Sequence, residues 1–481
     1  MSFLRNTGWS TTGSIVTVAS RLAFSVIVAR SLGPENFGRF IFVLWLVEIT
    51  FIICSIGLEG VATRFYPQYK NEQESRASGF SHWFLYRGLL VIFSTSIFSV
   101  VAVFAFGSIN DPKSLVAIYL LALFSSSYLL LMARAQGMFQ FRYLALTALI
   151  FSATSVFGLT LFVENSSIEG AIVILVVSNF LAIIMLTYKS NPVAASSKKP
   201  LSESMKIKII EYAKNTWLTS IGSSLIWSKG ELPLVKSFSG ESAVGLYSVG
   251  ITISGVVNGL LSLLTGALWP KMAALWDRNE LKDMSSLYVT VTHLVILLSG
   301  LAVGFLICFS DLIILALFGS EFLSASGLVQ ILALGTIGLT AGSAHLILQA
   351  SSNGRFSRNL TILAAPVLFG GALLLLPYFG SEGAAMARTG TQVGMAIITF
   401  AYVSNVLPPE ARTTRCFLFF GITLSICAGM VFLRKVYSSF EFPDLMMLYL
   451  LYVVVINLIY MTISESSVLR ELKKLSQVSS R

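Results

Sequence analysis

Apolar residues along this chain fall in runs of roughly twenty, divided by short polar stretches. At 1.5 Å per residue, such a run is the length a helix needs to cross about 30 Å of hydrocarbon. Spanning strands would instead show alternating segments of about ten residues. The runs predict about fourteen helices. Six lie near 9–29, 38–59, 83–106, 114–134, 143–163 and 169–188, six more near 211–231, 243–267, 287–309, 326–349, 359–378 and 383–403, and two near 414–433 and 444–463. Residues 61–79 mix Arg64, Glu72 and Arg76 with aromatic rings and are expected to run partly along the inner membrane face. Residues 189–208 carry Asn191-Pro192 and Ser196-Ser197-Lys198-Lys199-Pro200 without apolar periodicity, which is the composition of a linker.

The punctuation repeats. Asn6-Thr7-Gly8-Trp9 opens an apolar segment that carries Arg21 and closes on Arg30-Ser31-Leu32-Gly33-Pro34-Glu35-Asn36-Phe37-Gly38. Lys214-Asn215-Thr216-Trp217 opens another, which carries Lys229 and closes on Lys236 to Tyr247 through Gly240-Glu241 and Gly245. Further matches come in order: Pro67 with Pro270, Ala133–Phe139 with Ala350–Phe356, and Glu169-Gly170-Ala171 with Glu382-Gly383-Ala384. Their offsets run from 203 (Pro67 to Pro270) to 217 (Ala133 to Ala350), the signature of an internal repeat. An even number of spans per repeat gives both halves the same orientation, related by a pseudo-twofold axis along the membrane normal. The expected fold is therefore an all-α polytopic membrane protein. It has a six-helix lobe over 1–188, a cytoplasmic linker over 189–208, a second six-helix lobe over 209–404, and two extra helices with a basic tail over 405–481.

Composition agrees with this pattern. Hydrophobic residues make up 55% and charged residues 12%, about half the charged share of a soluble domain. Only Arg5 precedes the first apolar run and no small-residue cleavage site comes after it, so it is expected to be a retained helix. The net charge of +10 raises the question of nucleic acid. With the N-terminus in the cytoplasm, about three quarters of the Lys and Arg fall on inner loops and tails, so the excess is a positive-inside signal with attraction to anionic lipid headgroups. The expected location is the inner (plasma) membrane with both termini cytoplasmic. Cys54, Cys308, Cys416 and Cys427 lie in apolar runs without CxxC spacing and are expected to be free. His82, His293 and His345 share no ligand spacing, and no nucleotide-binding glycine loop is present, so no metal, cofactor or ATP is expected. Trp9, Trp45, Trp217, Trp269 and Trp276 fall near span ends, as interfacial anchors do.

Residues 6–9, Leu32-Gly33-Pro34-Glu35-Asn36-Phe37-Gly38, Gly57-Leu58, Gln136-Gly137 and Val244-Gly245-Leu246-Tyr247-Ser248 resemble the polysaccharide-transporter family. This family comprises the O-antigen and repeat-unit flippases of the multidrug, oligosaccharidyl-lipid and polysaccharide exporter superfamily. The resemblance covers roughly residues 1–410. It implies a two-lobed bundle of twelve or fourteen helices that moves undecaprenyl-diphosphate-linked oligosaccharides to the outer leaflet. It also implies lipid-linked oligosaccharide diphosphate as substrate, with a polysaccharide polymerase and chain-length machinery as partners. The family often ends its seventh span with Asp, whereas this chain has Glu231 after Lys229-Gly230.

Such a substrate has an anionic head, so its carrier needs cations at membrane depth, where charges are costly and face an interior or water. Arg21 lies about 20 Å up the first helix, and Lys229 occupies nearly the same place in the repeat. Both are candidate substrate contacts, Arg as a bidentate phosphate fork and Lys as a point charge. Arg388, inside the twelfth span, and Arg64, at the inner mouth, complete the cationic set. Glu48 has two readings, an ion pair with Arg21 or a proton or cation coupling site, and Glu231 is grouped with it. Two rival functions remain. A cation antiporter of the same superfamily needs an anionic or aromatic cavity. A membrane polymerase or ligase needs a substantial outer loop with catalytic groups, which the pattern lacks. No catalytic residue is expected.

Overall fold

The computed structural model describes residues 2–70, 74–106, 111–162, 167–189, 203–342, 344, 347, 354–407, 413–436 and 441–464. Most of the expected linker and the tail from Arg470 to Arg481 lie outside these residues, as does the motif after the tenth span up to Asn353. Among the described residues the chain is helical and contains no strand. The first half contains α1 (Ser2–Ser55), α2 (Leu58–Lys70), α3 (Glu74–Ala105), α4 (Pro112–Gly137), α5 (Phe141–Phe162), α6 (Ile168–Lys189) and α7 (Glu203–Ser223). A π-helical stretch, Ser224–Lys229, leads into α8 (Leu232–Asp277). Then come α9 (Leu281–Leu317), α10 (Ser326–Gly338), α11 (Gly354–Val406), α12 (Thr413–Val436) and α13 (Phe442–Ser464).

Eleven helical stretches among the described residues are long and apolar enough to cross a membrane. Three are long enough for two crossings: Ile15–Ser55 with 41 residues, Glu203–Ser262 with 60 and Asn359–Val406 with 48. Each contains a glycine with positive φ that bends the helix, Gly33 (φ 70°), Gly240 (φ 83°) and Gly380 (φ 55°). Burial is inverted relative to a soluble helix. On α3, Leu90, Phe93, Ile97, Val101 and Phe104 are exposed along one helical stripe, while Thr95, Ser96 and Ser99 are fully buried. Many helical serines and threonines bond their hydroxyls within the helix, as in Thr50 to the Leu46 carbonyl (2.6 Å) and Ser178 to the Ile174 carbonyl (2.8 Å), although the Thr95 and Ser99 hydroxyls find no such partner. Lipid on the outside accounts for both features. The chain is a multi-pass membrane protein.

The chain divides into two compact units, Met1–Lys236 with Gly240–Gly245, and Ser237–Ser239 with Leu246–Arg481. In the first, α1 packs along α5, and α4 and α5 pack against α6. α7 closes against the end of α1: the Trp217 indole donates to the carbonyls of Ile52 (3.0 Å) and Ile53 (3.1 Å). Those carbonyls lie in the last turn before Ile56 and Gly57 take positive φ, where a helix leaves acceptors without partners. Trp217 thus acts as a helix cap, and Trp45 is buried beside Phe42, so neither stands as a lipid-facing anchor. An aromatic cluster of Phe65, Tyr66, Phe80 and Phe84 joins α2 to α3.

In the second unit, α9 is the central packing partner of α10, α12 and α13. Tyr452 of α13 lies over Gly304 of α9, where any side chain would collide with its ring, and a side chain at Gly300 would meet Thr423 and the Tyr452 hydroxyl. Arg434 of α12 pairs with Asp311 of α9, and Lys435 pairs with Glu382 of α11 at 2.9 Å. These contacts fix α12 and α13, the helices beyond the repeat, to the helices within it. The repeated Glu-Gly-Ala motif plays matching roles in the two units. Glu169 accepts from Ser114 Oγ (2.7 Å) in the first turn of α4, and the Glu382 carboxylate stands 2.6 Å from the Cβ position of Gly327 in the first turn of α10. A carboxylate at a helix start is favoured by the free N–H groups there.

Candidate functional site

The repeat motif near residue 33 forms a helix crossing within the first unit. Gly33 and Gly240 have the same unusual backbone, φ 70° ψ 172° and φ 83° ψ −177°, which is open to glycine and strained for any other residue. After each bend a new helical limb starts, the first with Pro34 at its opening. A Cβ on Gly38 would overlap the Glu241 carbonyl, and a Cβ on Gly245 would overlap the Pro34 carbonyl. The equivalences Gly33 to Gly240, Pro34 to Glu241 and Gly38 to Gly245 share one offset of 207 (240 − 33, 241 − 34, 245 − 38), so the crossing has local twofold character. Arg39 clamps it, pairing with Glu35 (2.8 Å) and with Glu241, while Lys236 reaches Glu241 (3.4 Å) and stands 4.4 Å over the Phe42 ring. The repeat pattern singles out Glu35, Lys236 and Glu241 but not Arg39. The signal for Arg39 in the sequence is its i, i+4 spacing from Glu35.

A cavity of about 210 Å³ lies inside the first unit. Its walls are mainly apolar, from Leu44, Val47, Phe51, Leu121 and Phe151, and its polar groups are Glu48, Ser125, Ser126, Tyr128 and Asn179. Asn179 donates to Ser125 Oγ (3.3 Å), and the Tyr128 ring stacks on Phe151 at 5.8 Å. Glu48 accepts from Ser228 Oγ (3.3 Å), in the residue before Lys229. Arg21 is exposed, lies within electrostatic reach of the Tyr128 hydroxyl, and makes no ion pair with Glu48 among the described residues. Of the expected site residues Glu48 alone lines this cavity; Arg21 acts on its Tyr128 wall, and Ser228, next to Lys229, bonds its Glu48. Lys229 ends the π-helical stretch, a bulged geometry that re-aims side chains and recurs at functional positions. Glu231 is fully buried just beyond it.

Arg64 lies apart from that cavity, on α2, with its guanidinium 4.4 Å over the Tyr212 ring. Arg388 is buried on α11 in the second unit. Among the described residues no group of three His, Cys, Asp or Glu side chains could hold a metal ion, and Cys54, Cys308, Cys416 and Cys427 are free.

Kinked membrane helices in a repeated arrangement, with a polar cavity in the first unit, make up a fold that other membrane proteins share. Solved structures agree on the fold. The lipid II flippase MurJ in an inward closed conformation superposes with a TM-score of 0.67 at 14% identity, covering 98% of this chain and 99% of that one. An inward-facing multidrug resistance MATE family transporter of the MOP superfamily gives 0.67 at 15% identity, covering 84% of this chain and 98% of that one. A MOP superfamily transporter from Pyrococcus furiosus gives 0.59 at 16% identity, over 86% and 95%. Residues 3–276 match the family of polysaccharide biosynthesis proteins, and the chain belongs to that family. It is 24% identical over 228 residues to the probable low-salt glycan biosynthesis flippase Agl15 of Haloferax volcanii, 46% of this chain. The match spans about half that relative's length, 47%.

Proposed function

We propose that this protein is a flippase that carries an undecaprenyl-diphosphate-linked oligosaccharide from the cytoplasmic to the outer leaflet by alternating access, for surface polysaccharide assembly. The observation that carries the reading is Arg21, a guanidinium inside the first span that makes no ion pair with Glu48 and lies within electrostatic reach of Tyr128, a wall of the Glu48 cavity. A charge kept at that depth is costly unless it serves an interior or a ligand. Arg matches a diphosphate through paired N–H donors, and Lys229 adds a second cation from the segment that touches Glu48. Glu48 is then the coupling group, a carboxylate in a cavity that a proton or cation enters, and Arg388 is a further candidate cation in the second unit. Membership of the polysaccharide biosynthesis family and the likeness to a glycan flippase support the same substrate class. The reading takes each of the three longest helical stretches as two crossings joined at its glycine bend, for fourteen spans, and has two six-helix lobes plus two helices with both termini in the cytoplasm of the inner membrane. A polymerase and its chain-length partners would receive the product.

The test is complementation of a strain lacking its own flippase. With expression equal to wild type, Arg21→Ala and Lys229→Ala are expected to lower surface glycan at least about tenfold, the effect of losing roughly 1.4 kcal/mol of phosphate contact, and Arg21→Lys is expected to restore part of it. Full surface glycan from both alanine variants would end the cationic-site reading. One observation favours the rival cation antiporter: Glu48 shares its cavity with stacked Tyr128 and Phe151, an acidic and aromatic lining suited to an organic cation. Glu48-dependent ethidium efflux without glycan export would favour that rival.

A further inference from the structure

A second cavity, of about 340 Å³, lies between α2 and α7 and is lined by Arg64, Gln68, Lys208, Glu211, Tyr212 and Asn215, with Phe65 beside them. Its position in the chain is informative. α2 occupies the interval between the span that ends at Ser55 and the span that starts at Gly79, so it lies where the chain has left the hydrocarbon and is about to re-enter it. The opening turns of α7 carry Glu203, Lys206, Lys208, Glu211 and Lys214, a polar sequence suited to the headgroup layer. The two helices are held together there: Phe65 and Tyr212 meet edge to face at 5.6 Å, and Thr216 fills the place of a side chain on Gly60.

Arg64 is held by the flat face of Tyr212, at 4.4 Å, and not by an acid. Neither Arg64 nor Lys208 makes an ion pair among the described residues. Stacking fixes a guanidinium while leaving its N–H edge open, and that edge matches the oxygens of a phosphate. The Lys208 ammonium and the side-chain amides of Gln68 and Asn215 add donors around the same space, against one acid, Glu211.

We propose that this cavity binds the phosphate of an anionic phospholipid headgroup. The lipid would lie at the edge of the first unit, its phosphate between Arg64 and Lys208 and its glycerol against Phe65 and Tyr212, and would brace α2 on α7. The proposal does not depend on the transported substrate, since a lipid of the surrounding bilayer would occupy the site in a flippase or an antiporter alike.

Native mass spectrometry of the full chain in detergent tests it, with short-chain phosphatidylglycerol and phosphatidylcholine added separately. Phosphatidylglycerol is expected to bind at least about tenfold more tightly, and Arg64→Ala with Lys208→Ala to remove that preference. Asn215→Asp adds a negative charge without removing the packing of Arg64 on Tyr212, and is expected to weaken phosphatidylglycerol binding while the variant elutes as wild type does. Displacement of the bound lipid by millimolar inorganic phosphate would support recognition through the phosphate group. Equal binding of the two lipids, or unchanged phosphatidylglycerol binding in both variants, would overturn the proposal. So would inorganic phosphate binding without any phosphatidylglycerol, or at least about tenfold tighter binding of undecaprenyl phosphate, which would assign the site to free phosphate or to the carrier lipid.

Discussion

Glu59 begins α2 in a largely desolvated place, and burial pushes its carboxyl above the ordinary carboxylate range, partly offset by hydrogen bonds from its own backbone and from Ser55. A raised pKa means that the folded chain holds this proton more tightly than the unfolded chain does. Its contribution is fully present at acidic pH, below the ordinary carboxylate value, and is lost as pH rises through the raised value. The melting temperature of the purified chain is therefore expected to fall from acidic to neutral pH, and Glu59→Gln to flatten that dependence; an identical slope in the variant would contradict the assignment. Glu59 was not legible as a special residue, because a single acid in a polar stretch reads as a solvated charge until the helices beside it are known. Arg21 and Glu48 were legible as charges in apolar runs. What the sequence could not decide was their partner, and the Ser228 hydroxyl that Glu48 accepts from sits on a helix 180 residues away.

Among the elements, the paired limbs after Gly33 and Gly240 matter most. The glycine-rich punctuation was readable as a repeat, but its register was not: aligning Glu35 with Glu241 gives an offset of 206, whereas the shared backbone of Gly33 and Gly240 and the mutual contact of Gly38 and Gly245 give 207. A one-residue ambiguity is natural where helices meet through glycines and side chains carry little of the register. The crossing is also a place where methyl groups do not fit. Gly38→Ala and Gly245→Ala are each expected to cost about 1–3 kcal/mol of stability, as overpacking does, and to lower the melting temperature measurably, whereas Ala at the more open Gly255 should be close to neutral. A wild-type melting temperature in both crossing variants would contradict the tight approach. α7 is the other element whose contacts were hidden from the sequence. Composition groups it with the helices C-terminal to the linker, yet it packs through Trp217 and Tyr212 on α1 and α2, contacts that only tertiary structure reveals.

For the molecule as a whole, the helical membrane class came from run length and charge alone, since hydrocarbon admits few other backbones. The Leu32–Gly38 segment reads as a hinge between two helices, and in the structure the backbone leaves helical geometry at Gly33 and a new limb starts at Pro34. The chain belongs to the polysaccharide biosynthesis family and shares its fold with a lipid II flippase, and the proposed activity is that an arginine at membrane depth contacts an anionic lipid-linked glycan. Translocation in proteoliposomes tests this most directly. The purified chain is reconstituted with undecaprenyl-diphosphate-linked oligosaccharide, and the fraction reaching the far leaflet is read with an impermeant lectin or oxidant. Wild-type protein is predicted to move the lipid to the far leaflet, and Arg21→Ala to slow this at least about tenfold at equal incorporation. Equal rates for the two proteins, or no movement above protein-free vesicles by the wild type, would contradict it.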